Sequence, residues 1–415
     1  MKTEKPDNYT VAAILVTSLF FLWALAHNLN PILIPHLKKA CRLSDFQSAL
    51  IDSSFFIAYF VCAIPAGMVM KKYGYKNGII LGLLLFASGA FLFYPAATIV
   101  SFPFFLFALF VVASGLAFLE TAANPYTTVL GAPETATQRL NMAQSFNGLG
   151  AFIAPLIGGL FILSGKSLSA DDLKTMDAAQ INSFYVHEAS SVIVPYICIG
   201  LLVLIVAFIF SRVHLPEIKD DSHQTKWADV FKHRHLINGV IAQFFYVGAQ
   251  VGVSSFFIRF LFQTAHIDEV QAAYYLSVAL ILFMAGRFTG TFLMQIIAPQ
   301  KLLSIYAAFS ISALAYAILF KGMPGVYCLM GVEFFMSIMF PTIFSLSIYK
   351  LGGATKHASS LVIMAIVGGA FIPLLMGRIS DATSIQTAYI VPLLCFVVVL
   401  YFGLRGYQPA SNLES

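Results

Sequence analysis

Charge is scarce in this chain. Only 10% of its 415 residues are Asp, Glu, Lys or Arg, while 59% are hydrophobic and the mean hydropathy is +0.84. A soluble domain carries roughly 25% charged residues, so this sequence cannot cover a water-facing surface. Cysteine is scarce too: there are five, too few for a disulfide scaffold, and no Cys/His cluster has zinc-site spacing. No His-Glu-x-x-His occurs. The nearest approach to a phosphate-binding loop, Gly159 to Ser167, has five residues between its glycines. The loop requires four, after a strand rather than an apolar helix. These absences exclude a soluble enzyme, a nucleic-acid binder and a disordered regulator. They lead us to expect no enzymatic activity, no metal and no cofactor.

What the chain has instead is long apolar runs, with 40 Phe among them. A helix needs ~20 apolar residues to cross a bilayer, and the sequence predicts twelve such helices. The first six fall at 10–33, 46–70, 77–97, 101–129, 139–164 and 189–212. The second six fall at 236–262, 270–297, 301–320, 324–349, 357–379 and 384–405. With the N-terminus inside, fifteen Lys and Arg fall on the inner side and eight on the outer side, leaving Arg287 within a span. Cytoplasmic loops carry the excess of positive charge, so both termini are expected in the cytoplasm. The polar, acidic stretch 165–188 is expected outside.

The two sets of six repeat one another. Gly115 and Pro125 recur as Gly331 and Pro341, 216 residues on; Gly150, Pro155 and Gly159 recur as Gly368, Pro373 and Gly377, 218 residues on. The predicted fold is therefore an all-α membrane protein of twelve transmembrane helices in two six-helix bundles. Its domains are 1–213, a cytoplasmic linker at 214–235, and 236–415. Parallel repeats of this kind build secondary transporters with the substrate site at the midplane between the halves.

A charged side chain at mid-membrane costs at least ~2.5–3.5 kcal/mol and needs a reason. Glu120 lies deep in the fourth span with Asn124 at i+4 on the same face, and Pro125 frees a carbonyl one turn back. A carboxylate in such a cleft can take up and release a proton near neutral pH. Its competing reading is a structural group bonded to a neighbouring helix. In the first span His27, Asn28 and Asn30 interrupt an apolar helix; in the fifth, Gln144 and Asn147 share a face; in the seventh, Gln243, Tyr246 and Gln250 recur. Amides both donate and accept, which suits the hydroxyls of a neutral polyol, though amides also bond helices to one another. Tyr246 suits stacking on a sugar ring or a place in the core. Arg287 and Glu333 could pair or serve a gate. Asp52 stands near the outer start of the second span, as a solvated carboxylate or a proton site. Gly67 to Lys76, with Lys71 and Lys72, joins the second and third spans as a charged loop or a gate latch.

These segments resemble the major facilitator superfamily. Within it they resemble the fucose–galactose–glucose:proton symporter family, in its L-fucose permease branch. The resemblance rests on Phe20 to Asn30, Glu120 to Gly131, Gln138 to Asn147, Ile338 to Phe344 and Met364 to Pro373. It covers almost the whole chain. The Gly67 to Lys76 loop marks only the superfamily, with Lys71 in place of the usual acidic residue. The resemblance implies proton-coupled import of a hexose or 6-deoxyhexose by a monomer in a bacterial inner membrane. Glu120 would act on proton and substrate, with Gln144 and Asn147 lining the cavity. Glucose/galactose members of the family usually carry Gln at position 120. The family pattern also places an Asp after the first-helix Asn-Leu-Asn, where this chain has Pro31, so its proton path cannot be carried over whole. Either Glu120 serves alone or another carboxylate, such as Asp52, replaces the missing one. The rival readings are a sodium-coupled or facilitative transporter of the same family, an exporter of amphipathic solutes, and a membrane sugar sensor.

Overall fold

The computed structural model of the protein describes residues 7–29, 33, 36–38, 40–43, 45–161, 176–213, 215 and 230–409. Among them there is no strand. The helices of the N-terminal part are α1 (Asp7–His27), α2 (Asp45–Thr98), α3 (Phe102–Val129), α4 (Ala136–Phe161), α5 (Ala178–Ser190) and α6 (Ile193–Arg212). Next come α7 (Arg234–Ala265), α8 (Glu269–Leu293), α9 (Pro299–Leu319), α10 (Met323–Met336) and α11 (Met339–Ser347). The last are α12 (Thr355–Met364), α13 (Gly368–Ala382), α14 (Ile385–Ala388) and α15 (Ile390–Tyr401). Proline in the first turn starts α3, α9 and α10, where its missing N–H costs no hydrogen bond.

Nine helical stretches among the described residues are long and apolar enough to cross a membrane. One of them, Ser53–Thr98, has 46 residues, about 69 Å of helix against a hydrocarbon core of ~30 Å. It makes two passes, joined at Gly74, whose backbone (φ 83°, ψ 169°) leaves the helical region. Only glycine adopts that conformation without strain. With α1 and α4, of 21 and 26 residues, the passes number twelve. The 67–76 segment is thus helix on both sides of one glycine hinge, rather than a loop. Ile14, Phe107, Leu201, Phe208, Phe292 and Leu374 project from the outer surface, as side chains facing lipid should.

In the first bundle α1 packs along α4, and α2 along α3 and α6. In the second, α7 packs on α13 and α15, and α9 on α10 and α15. The repeat read from the sequence reappears as packing. A Cβ at Gly150 would lie 2.6 Å from the Phe21 carbonyl oxygen of α1, and one at Gly368 would overlap the Phe244 carbonyl oxygen of α7. Each glycine lets two backbones touch across the corresponding helix pair. Gly115 likewise packs on the α2 backbone, whereas Gly331 faces open space, so that pair shares position but not contact.

The two halves meet near one face of the molecule, the face carrying Lys71, Lys72, Arg139, Lys350 and Lys356, called here the basic face. Contacts run from α4 to α8 and α11, and from α2 and α3 to α12. On the opposite face His36 Nδ1 lies 3.4 Å from Glu188 Oε1, and His36 Nε2 lies 3.1 Å from Ser191 Oγ. These contacts tie the connection after α1 to α5. That helix begins in the polar stretch 165–188, read from the sequence as an external segment, and runs two residues beyond it. An Asp177–Gln180 capping box starts it, by satisfying backbone donors that would otherwise lack partners.

Candidate functional site

The site is assembled on α3 and α4, where two polar residues one turn apart share a face on each helix. Glu120 of α3 is buried, and Tyr59 of α2 donates its hydroxyl to Glu120 Oε1 at 2.6 Å. The first pass of α2 is held in register with α3 by Ser54 Oγ bonding the Leu106 carbonyl at 3.0 Å and Cys62 Sγ meeting Ser114 Oγ at 3.2 Å. One turn below Glu120, Asn124 accepts from Gln144 Nε2 at 3.2 Å, while its own Nδ2 is buried without an acceptor. Asn147, next on that face of α4, donates to the Phe20 carbonyl of α1 at 3.3 Å.

Arg287 enters this cluster from α8, across the junction of the halves. Its Nη1 bonds the Gln144 carbonyl and reaches Asn147 Oδ1 at 3.3 Å. Its Nε bonds the Ser337 carbonyl at 3.0 Å, and the guanidinium lies 4.7 Å from the centre of the Phe283 ring. A planar cation with five donors is held here by neutral oxygens and an aromatic face. Pro341 explains one of those oxygens. It has no N–H to return to residue 337, so the Ser337 carbonyl is open and α10 breaks from α11 at that point. Pro125 does the same for Thr121, whose carbonyl accepts from Ser359 Oγ of the other half at 2.8 Å.

Several residues singled out in the sequence lie elsewhere. No ion pair joins Arg287 to Glu333 among the described residues; Glu333 is buried and accepts from Ser254 Oγ at 2.8 Å. Tyr246 is fully buried, with its hydroxyl given to the Met336 carbonyl at 2.9 Å. Gln250 is half-buried, and Gln243 is fully buried with neither amide atom bonded. His27 is exposed at the end of α1, its ring edge-on to Phe55 at 5.2 Å, and Asn28 Nδ2 turns back to the Ala24 carbonyl at 2.8 Å. Asn30 and Pro31 lie outside the described residues, as does the side chain of Asp52. Lys71 and Lys72 sit on the basic face, with Lys72 Nζ 5.0 Å from the Tyr73 ring centre. Lys76 bonds the Ser211 carbonyl at 3.0 Å, in the last turn of α6, where a helix end favours a cation.

Two residues escaped the sequence reading. Tyr59 had one available signal: a buried carboxylate requires a donor, and this hydroxyl stands in the middle of the second span. Arg139 ties the end of α3 to the start of α4 by bonding the Thr128 carbonyl at 2.7 Å and the Ala132 carbonyl at 2.8 Å. Its signal was an Arg shortly after a helix C-terminus, where free carbonyls collect.

The buried carboxylate and the row of amides thus lie together along the seam between the two six-helix bundles. The chain is 42% identical to the L-fucose-proton symporter of Escherichia coli, covering 98% of this chain and 95% of that protein. It is 40% identical to a glucose/galactose transporter of Brucella abortus, covering 98% and 96%. A crystal structure of the transporter FucP in the outward conformation superposes with a TM-score of 0.90 at 42% identity, covering 97% of this chain and all of that one. The Major Facilitator Superfamily pattern matches residues 13–366, and the chain belongs to that superfamily of multi-pass membrane transporters.

Proposed function

We propose that this protein imports L-fucose or a closely related hexose together with a proton, by alternating access between its two halves. The observation that carries the reading is Glu120: a membrane-buried carboxylate whose bonding partner is the neutral Tyr59 hydroxyl, one turn from a cluster of amides. With a proton on Glu120 the carboxyl is neutral and gains an O–H donor, so a sugar binds beside it without a carboxylate charge being buried there. Asn124 Nδ2, which has no acceptor within the protein, takes a sugar hydroxyl, and Gln144 and Asn147 exchange their bonds to Arg287 for bonds to sugar. Arg287 is thereby a sensor of loading that spans the two halves. His27 and Gln250 complete the upper rim.

The basic face is the cytoplasmic one, with both termini there, because positive charge is retained on that side. The state described is accordingly closed to the cytoplasm and open outward. Residues 1–213 and 236–415 move as the two bodies, joined by the 214–235 linker, in a monomer of the bacterial inner membrane. With Pro31 where the family pattern has Asp, proton coupling rests on Glu120. A glucose/galactose substrate is the second reading, supported by the 40% identity to the Brucella abortus transporter.

Uptake of radiolabelled L-fucose, galactose and glucose into proteoliposomes, with and without an imposed proton gradient, tests both. L-Fucose is expected to accumulate only with the gradient. Glu120→Gln is expected to abolish that accumulation while keeping exchange of labelled for unlabelled sugar. Full gradient-driven accumulation by Glu120→Gln overturns the role given to this residue.

A further inference from the structure

The polar face of α4 does not stop at the candidate sugar site. Asn147, Gln144, Asn141 and Thr137 follow one another at three- and four-residue steps, one stripe of a helix, running from the site to the basic face. The stripe bonds the other half along its length. Arg287 meets Asn147 and Gln144; Asn141 Nδ2 donates to Thr342 Oγ1 at 3.2 Å; Thr137 Oγ1 lies 2.9 Å from Ser345 Oγ.

Asn141 is the anomaly in this row. It is fully buried, and its Nδ2 also bonds the Thr137 carbonyl at 2.9 Å, yet its Oδ1 has no donor. Thr342 cannot supply one, because its hydroxyl is donated to the Ile338 carbonyl at 2.6 Å. An amide oxygen buried without a donor loses its hydration and gains nothing in this state. A seam that only had to close would be served by apolar packing. A row of hydroxyls and amides serves a seam that must also be wet and must hold a polyol when open.

We propose that Asn141 is the centre of a second sugar station, formed when the halves part at the basic face, through which the sugar leaves. This rests on the reading of the protein as a sugar transporter. In the parted state Asn141 Nδ2 is released from Thr342 and donates to one sugar hydroxyl, while Oδ1 accepts from another. The same groups thus latch the seam when it is shut and line the exit when it is open.

The test compares two variants in proteoliposomes of fixed orientation, with L-fucose exchange measured from each face. Thr342→Val removes the Asn141 rung but keeps Asn141. It favours the state open at the basic face, so the KM measured there falls. Asn141→Leu removes the same rung and the station: two bonds to sugar are lost against one rung released, so the KM at the basic face is expected to rise about fivefold or more, the scale of the one hydrogen bond left over. Asn141→Ser, which keeps a hydroxyl, is expected to fall between the two and serves if Leu overfills the space. If Asn141→Leu lowers the basic-face KM as Thr342→Val does, or leaves it unchanged, the residue is a latch alone and the station is refuted. If the unaltered protein exchanges none of L-fucose, galactose and glucose, the transport reading falls first and the station with it.

Discussion

At the scale of single residues, the chemistry is concentrated in a handful of polar side chains that a membrane does not accept without compensation. Tyr59 shows how close that compensation is. Its hydroxyl is the donor to Glu120 Oε1 at 2.6 Å, and a hydrogen bond to a group that ionises contributes about 1.5–3 kcal/mol. Tyr59→Phe leaves the carboxyl without that donor while keeping the ring. Gradient-driven accumulation in proteoliposomes is expected to fall by about tenfold or more, the rate equivalent of ~1.4 kcal/mol, with folding intact as judged by gel filtration. Normal accumulation by that variant would show that Glu120 does not depend on Tyr59. The shared face of Glu120 and Asn124, and that of Gln144 and Asn147, were legible from helical spacing alone. Their partners were not. Tyr59 lies 61 residues before Glu120 and Arg287 lies 140 after Asn147, and no periodicity of one helix encodes which side chain of another will meet it.

At the scale of the elements, glycine and proline set where helices touch and where they break. Gly150 and Gly368 stand at equivalent points of the repeat and admit the backbone of the neighbouring helix. Gly368→Val forces a side chain into the Phe244 carbonyl, and overpacking of this kind typically costs about 1–3 kcal/mol. The purified protein is expected to melt several degrees lower. Gly331→Ala, facing open space, is expected not to lower the melting temperature, since placing Ala for Gly inside a helix is favourable by up to ~1 kcal/mol. Equal melting of the two variants would contradict the packing described. The proline positions were visible in the sequence, and so was the freeing of a carbonyl by Pro125. The acceptor's use was not: the Thr121 carbonyl is taken by Ser359 of the opposite half, a contact that exists only once the halves dock.

At the scale of the whole molecule, the two bundles are held shut at the basic face by close packing as well as by the α4 stripe. Gly67 of α2 lies against Ser360 of α12, so closely that a Cβ there would overlap the serine hydroxyl. Gly67→Val is therefore expected to prop this face open. An overpacking cost of about 1–3 kcal/mol confined to one state shifts the balance of states by roughly 5- to 150-fold. Spin labels placed at the basic-face ends of α4 and α11 are expected to show a longer-distance population that the unaltered protein lacks. An unchanged distance distribution would mean that the seam yields locally without opening.

Hydropathy by itself determined that this is a twelve-pass membrane protein, because ~20 consecutive apolar residues per pass leave no other solution in water or lipid. Its Gly and Pro spacing determined the duplication, and helical periodicity placed Glu120, Asn124, Gln144 and Asn147 on their faces. Only the tertiary structure decided that Tyr59 holds Glu120, that Arg287 crosses to the amides rather than to Glu333, and that one face of the seam is shut. Those outcomes depend on how separate helices are rotated and set against each other. That is fixed by close packing of backbones and side chains far apart in the chain, and it leaves no period in the sequence to read.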